Sequence, residues 1–234
     1  MTRGTRIFVG TLAVAATYAA AFGLLWVRTR SPAPPTSALS AKDLEILGLV
    51  DDLVTLRVGS ARTTAQSLSA QTSAIRATVR AVSAASAVYG DAAQKLLSSA
   101  QLALDNQLNL EEIQSLLVGE LKLCDLARRG LRQGIGPREL MGTLRDIEQW
   151  APKIESLTEE ADLGIAKTRF GLGAAPQSLP EKDQWESLGL INVQQQSTLS
   201  SQKQLLSEIR KTAEVLKKLV ERVHMPYQVL RFPF

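Results

Sequence analysis

Residues 65–103 read AQSLSAQTSAIRATVRAVSAASAVYGDAAQKLLSSAQLA. Within them Ala65, Leu68, Thr72, Ile75, Val79, Val82, Ser86, Tyr89, Ala93, Leu96, Ala100 and Ala103 follow one another in alternating steps of three and four, and all but Thr72 and Ser86 are apolar. A sustained 3–4 repeat places one narrow apolar stripe along a helix, and such a helix hides its stripe against one or a few others. The many alanines favour close approach of those helices. Additional alanines off the stripe dilute its contrast with the other faces, and Gly59 and Gly90 are soft points, each costing about 1 kcal/mol relative to Ala in a helix.

The same spacing returns near the other end of the chain. Leu199, Gln202, Leu206, Ile209, Ala213, Leu216, Val220 and Val223 repeat in strict 3–4 order. They predict a long helix over about 182–224, stopped by Pro226. Leu199, Leu206, Ile209, Leu216, Val220 and Val223 are its candidate helix–helix interaction residues. Asn192, Gln194, Gln195 and Gln196 fall in its first half, where a buried amide can fix the register of a helix pair.

Two shorter amphipathic segments lie between. Asn109, Glu111 and Glu112 read as a cap followed by acids in a first turn, predicting a helix that starts there. It carries Ile113, Leu116, Leu117, Leu121, Cys124, Ala127 and Leu131, then meets late arginines and Gly134-Ile-Gly-Pro137, which are stop signals. Pro137 suits the first turn of the next helix, expected over about 138–168 with Pro152 kinking or breaking it. Phe170–Pro180 reads as a loop. Ser40, three residues before Asp43, resembles a capping box at the start of the first body helix. No alternating segment long enough for a sheet is present. The fold class is therefore all-α, with long coiled-coil-like helices forming an elongated bundle over 42–224.

Ahead of this body, Ile7–Val27 is an uncharged run of 21 residues, flanked by Arg3 and Arg6 on one side and Arg28 and Arg30 on the other. As a helix it spans roughly 30 Å, the thickness of a bilayer's hydrocarbon core. Residues 1–30 thus read as a single transmembrane anchor, with the bilayer as its partner through residues 7–27. A cleaved signal peptide ending near Ala19-Ala20-Ala21 is the competing reading, and the apolar run continues straight past that site. Residues 31–41, with three prolines, read as a semi-rigid spacer, and 225–234 as an aromatic-rich tail. The flanking charge leaves a small bias toward N-inside, hence a single-pass protein of a bacterial inner membrane with a periplasmic body. An acid-free first 42 residues makes a mitochondrial inner membrane the alternative.

The chain carries 27 Lys+Arg and 23 Asp+Glu, but its first 30 residues hold four Arg and no acid. The body is therefore neutral overall, which argues against nucleic acid as a partner. With one Cys and one His, neither an intrachain disulfide nor a multi-histidine metal site can form. Glu221 and His224 match half of a carboxylate-bridged di-iron motif and lack the second half. Phosphate-loop and nucleophile-elbow motifs are absent. No cofactor, metal or catalytic residue is expected, and the chain is expected not to be an enzyme. Arg128, Arg129, Arg132 and Arg138 form the densest basic cluster, a candidate patch for anionic lipid or an acidic partner. The expected function is a membrane-anchored helical scaffold or accessory subunit of a larger membrane-associated complex, acting through other helical proteins or self-association. A tethered extracytoplasmic sensor or ligand-binding module is the alternative.

Overall fold

A computed structural model of the chain describes residues 39–89, 91–173 and 182–224. The expected anchor over 7–27, nearly all of the spacer, and the tail over 225–234 lie outside the described residues. Among those described, no helix is long and apolar enough to cross a membrane.

The described body is a bundle of four helices without strands: α1 (Ala41–Tyr89), α2 (Asp91–Gln133), α3 (Pro137–Gly173) and α4 (Lys182–His224). Helix α1 begins where the capping residues place it. The Asp43 amide donates to Ser40 Oγ at 3.2 Å, and Ser40 Oγ donates back to Asp43 Oδ2 at 2.6 Å. That bond, with the nearby Arg222 guanidinium, holds the Asp43 carboxyl below its ordinary value.

The stripe over 65–103 folds back on itself. Gln107 bonds to Leu68 and Gln114 to Ala61, so α1 and α2 run antiparallel, and the stripe's two arms face each other. The side chains of Ser86, Tyr89 and Ala93 in its middle lie outside the described residues. Helix α2 does not begin at Asn109; it runs unbroken from Asp91. The buried positions Leu96, Ala100, Ala103, Gln107, Leu110, Gln114, Leu117, Leu121, Cys124, Arg128 and Leu131 keep 3–4 spacing throughout. Gln107 and Gln114 interrupt the apolar pattern without interrupting the helix.

Helix α2 ends in a Schellman turn. The Ile135 amide donates to Gly130 O at 2.9 Å and the Gly134 amide to Leu131 O at 3.4 Å, with Gly134 at φ 71°, a conformation that favours glycine. Pro137 opens α3 at its first position, where a missing N–H costs nothing. Helix α3 passes through the exposed Pro152 and extends to Gly173, beyond the expected loop boundary at Phe170.

Helix α2 is the hub, packing against α1, α3 and α4; α3 also packs on α4, and α1 meets α4 more sparingly. Small residues let α3 close on α2. A Cβ at Gly164 would collide with the Asn106 side chain, and one at Gly171 would lie 2.8 Å from Ser99 Oγ. The α3–α4 rim carries a heptad-spaced ladder of ion pairs. Lys203 meets Asp162, Arg210 meets Glu155 and Lys217 meets Glu148, at 2.5–2.9 Å. Each is about half exposed, so the ladder sets register more than it adds stability.

Candidate functional site

Two features stand out from an ordinary apolar core: a ladder of buried amides inside, and a second apolar seam outside.

The ladder repeats every seven residues across three helices. Gln195 of α4 donates its Nε2 to Ala103 O at 2.7 Å and to Gln107 Oε1 at 3.1 Å; Gln107 in turn donates to Leu68 O at 3.2 Å. One heptad further, Gln202 donates to Leu110 O at 2.8 Å and to Gln114 Oε1 at 3.1 Å, and Gln114 donates to Ala61 O at 2.9 Å. The equal steps on α2 and α4 show that these two helices run parallel. Flanking the ladder, Asn192 Nδ2 donates to Ile165 O at 3.0 Å and Asn106 Nδ2 to Thr168 Oγ1 at 3.1 Å. Buried amides are tolerated only when their donors are satisfied, and a one-residue slip would strand each of them. The ladder therefore specifies helix register. Asn192 and Gln195 are the buried members of the amide cluster noted in the sequence; Gln194 and Gln196 are exposed.

In the C-terminal half of α2 the polar groups are fewer and less well served. Glu120 is fully buried, and neither carboxylate oxygen has a hydrogen-bond partner among the described residues. Burial pushes its carboxyl up to about 7, partly opposed by the charge of Arg210. One turn on, burial and then the acids Glu120 and Asp125 push the Cys124 thiol up to about 12, so it stays protonated and unreactive at neutral pH.

The interaction residues expected on α4 all enter the chain's own core: Leu199, Leu206, Ile209, Leu216 and Val220 are buried, and Val223 packs partly buried against them. Three members of the basic cluster are engaged by acids. Arg128 pairs with Asp51 and Asp125, Arg129 with Asp125 at 2.5 Å, and Arg132 with Asp51 at 2.8 Å. Burial, and then the neighbouring Arg129 and Arg132, lower the Arg128 pKa. Arg128 and Arg132 thereby tie the N-terminal part of α1 to the end of α2. Arg138 is exposed. Among the described residues no group of His, Cys, Asp or Glu could hold a metal ion.

The outward seam lies on α1. Leu49, Leu53, Leu56, Ser60, Thr63, Ser67, Ala70, Ala74, Ala77, Ala81 and Ala84 step by four and three, and every one is exposed. Leu49 and Leu56 are 67% and 73% exposed, more than isolated leucines need to be. The face α1 turns inward carries its own 3–4 set, Val54, Ala61, Leu68, Ile75 and Val82 among it. Two seams on one helix mean that one is satisfied within the bundle and the other is not. In the sequence the second seam is the same alanine excess that blurs the first.

The chain matches no protein-family model, no curated protein and no solved structure.

Proposed function

We propose that the chain is a non-enzymatic, membrane-tethered helical scaffold or accessory subunit that works by helix–helix association. The observation that carries this reading is the outward seam of α1. The bundle's core is complete without it, yet it continues in heptad order over some ten turn-spaced positions. An exposed stripe of this length, apolar at both ends with Ser60, Thr63 and Ser67 between, is an association surface, since burying its leucines and alanines returns roughly 25 cal/mol per Å². The uncharged run Ile7–Val27 supports tethering through a single span, and the Arg flanks support a body on the outer face of a bacterial inner membrane. Arg138, with the charge that Asp51 and Asp125 leave uncompensated on Arg128, Arg129 and Arg132, supports a further contact with anionic headgroups or an acidic partner.

The test is the triple replacement Leu49→Asp, Leu53→Asp and Leu56→Asp in the full-length chain. These side chains stand outside the core, so helix content by circular dichroism is expected to stay. Higher-mass assemblies of the detergent-extracted protein are expected to disappear from native gels. Assemblies that persist with the fold intact overturn the reading.

A further inference from the structure

We propose that the occupant of the outward α1 seam is a second copy of the same chain, packed antiparallel along α1; this rests on the scaffold reading and names its partner. Among the described residues the other exposed large apolar side chains, Leu44, Leu163, Phe170, Leu190 and Val193, form no comparable run.

Three properties of the seam point to its own reverse. The first is size. Its N-terminal part is Leu49, Leu53 and Leu56; its middle is Ser60, Thr63 and Ser67; its C-terminal part is Ala70, Ala74, Ala77, Ala81 and Ala84. Helix axes sit 8–10 Å apart according to the side chains between them. Two parallel copies would place leucine on leucine at one end and alanine on alanine at the other, forcing the helices to splay. An antiparallel pair centred near Ala65 sets Leu49 against Ala81, Leu53 against Ala77 and Leu56 against Ala74. Large then meets small at both ends, while Ser60 meets Ala70 and Thr63 meets Ser67 between them, so no layer sets leucine on leucine.

The second is charge. Helix α1 carries Asp43, Glu45, Asp51 and Asp52 against the single base Lys42 in its first quarter, and only Arg57, Arg62, Arg76 and Arg80 from there to its end. Asp43, Asp51 and Arg57 are held within the bundle by Arg222, by Arg128 and Arg132, and by Glu208. Asp52 and Arg80 are exposed on the same flank of the seam. In the antiparallel register they face each other twice, once on each side of the two-fold axis. No like charges come together in that register: Arg57 meets Gln71, Gly59 meets Ser73 and Gln66 meets its own symmetry mate.

The third is closure. A seam whose complement is its own reverse makes an isologous two-fold contact, which ends at a dimer instead of propagating into a filament.

Cysteine crosslinking of the full-length chain in detergent micelles tests the register. Cys124 is fully buried and gives little background. The double variant Leu53→Cys/Ala77→Cys is expected to give a disulfide-linked dimer under mild oxidation. Each single variant is expected to stay monomeric, because the two copies of one position would lie about 36 Å apart at 1.5 Å per residue. Asp52→Arg is expected to lower the crosslinked fraction severalfold, and Asp52→Arg/Arg80→Asp to restore it. Crosslinking of the single variants means a parallel pair and overturns the inference. Absence of a dimer from the double variant also overturns it. In that case adducts of the same cysteines with a different protein leave the scaffold reading standing, and the absence of any adduct removes both.

Discussion

The two halves of α2 solve the same packing problem with different chemistry. Up to Gln114 the helix sets Ala100, Ala103, Asn106, Gln107 and Gln114 among the buried Leu96, Leu110 and Ile113, and nearly every amide donor there finds a backbone or side-chain oxygen. From Leu117 onward it contributes Leu117, Leu121, Leu123 and Leu131 beside Cys124, Ala127 and Arg128, with Glu120 as a buried carboxyl that has no hydrogen-bond partner among the described residues. The first half specifies: any slip, even by a heptad, strands at least one of its buried glutamines. The second half stabilises: leucine layers bury more area but would accept several registers. A bundle of long helices with heptad spacing needs both, because apolar stripes alone can slide by a heptad at little cost.

The largest expected effect breaks the leucine half. Leu117→Ala removes a fully buried side chain and is expected to cost about 2–5 kcal/mol, read as a fall in the urea midpoint with an unchanged slope. A cost under about 1 kcal/mol would mean that this half does not carry the stability assigned to it.

Glu120 sharpens the contrast next. Its carboxyl titrates near 7 in the fold against an ordinary value of 4.5. Below the lower value both states are protonated and pH has no effect through this group. Between the two, the folded state binds a proton that the unfolded state has released, so stability falls as pH rises and levels off above about 7. The penalty at alkaline pH is on the order of 3 kcal/mol. Glu120→Gln is expected to flatten that slope, with its gain over the native chain greatest at pH 8 and smallest at pH 4. Parallel pH profiles for the two proteins would show that Glu120 ionises freely in the fold.

The amide half is expected to respond least in stability and most in order. Gln202→Leu leaves Gln114 Oε1 without its donor and is expected to cost about 1–3 kcal/mol. Adding Gln114→Leu is expected to recover most of that loss, since both partners of the buried bond are then gone. The double variant is expected to broaden the amide resonances of α4 in NMR spectra as alternative registers become populated. A double variant as unstable as the sum of the singles would show that the ladder is worth net stability as well as register.

The helical nature of the body was legible from spacing, and so was much of its punctuation: the Ser40 cap, the Gly134 stop and the Pro137 start each act through local chemistry that neighbouring residues complete. The boundary expected at Asn109 was misplaced for a physical reason. Gln107 and Gln114 occupy core positions, and a polar residue in a stripe looks like the stripe's end until a partner from another helix is in view. The candidate interaction residues of α4 were identified as a stripe, but spacing does not say whether a stripe turns toward its own chain or away from it. The outward seam of α1 was hidden by its composition, because alanine contributes equally to a core, a seam and a solvated face.

What the sequence by itself determined is therefore periodic and local: helices, their caps, and the stripes that leucine, isoleucine and valine mark. Only the tertiary structure decided which face meets which. Gln195 and Gln107 lie 88 residues apart, as do Gln202 and Gln114. Arg57 and Glu208 lie 151 apart. No local propensity encodes such pairings, because an amide or a carboxylate is equally content with water until packing removes the water and leaves one oxygen or one guanidinium within reach.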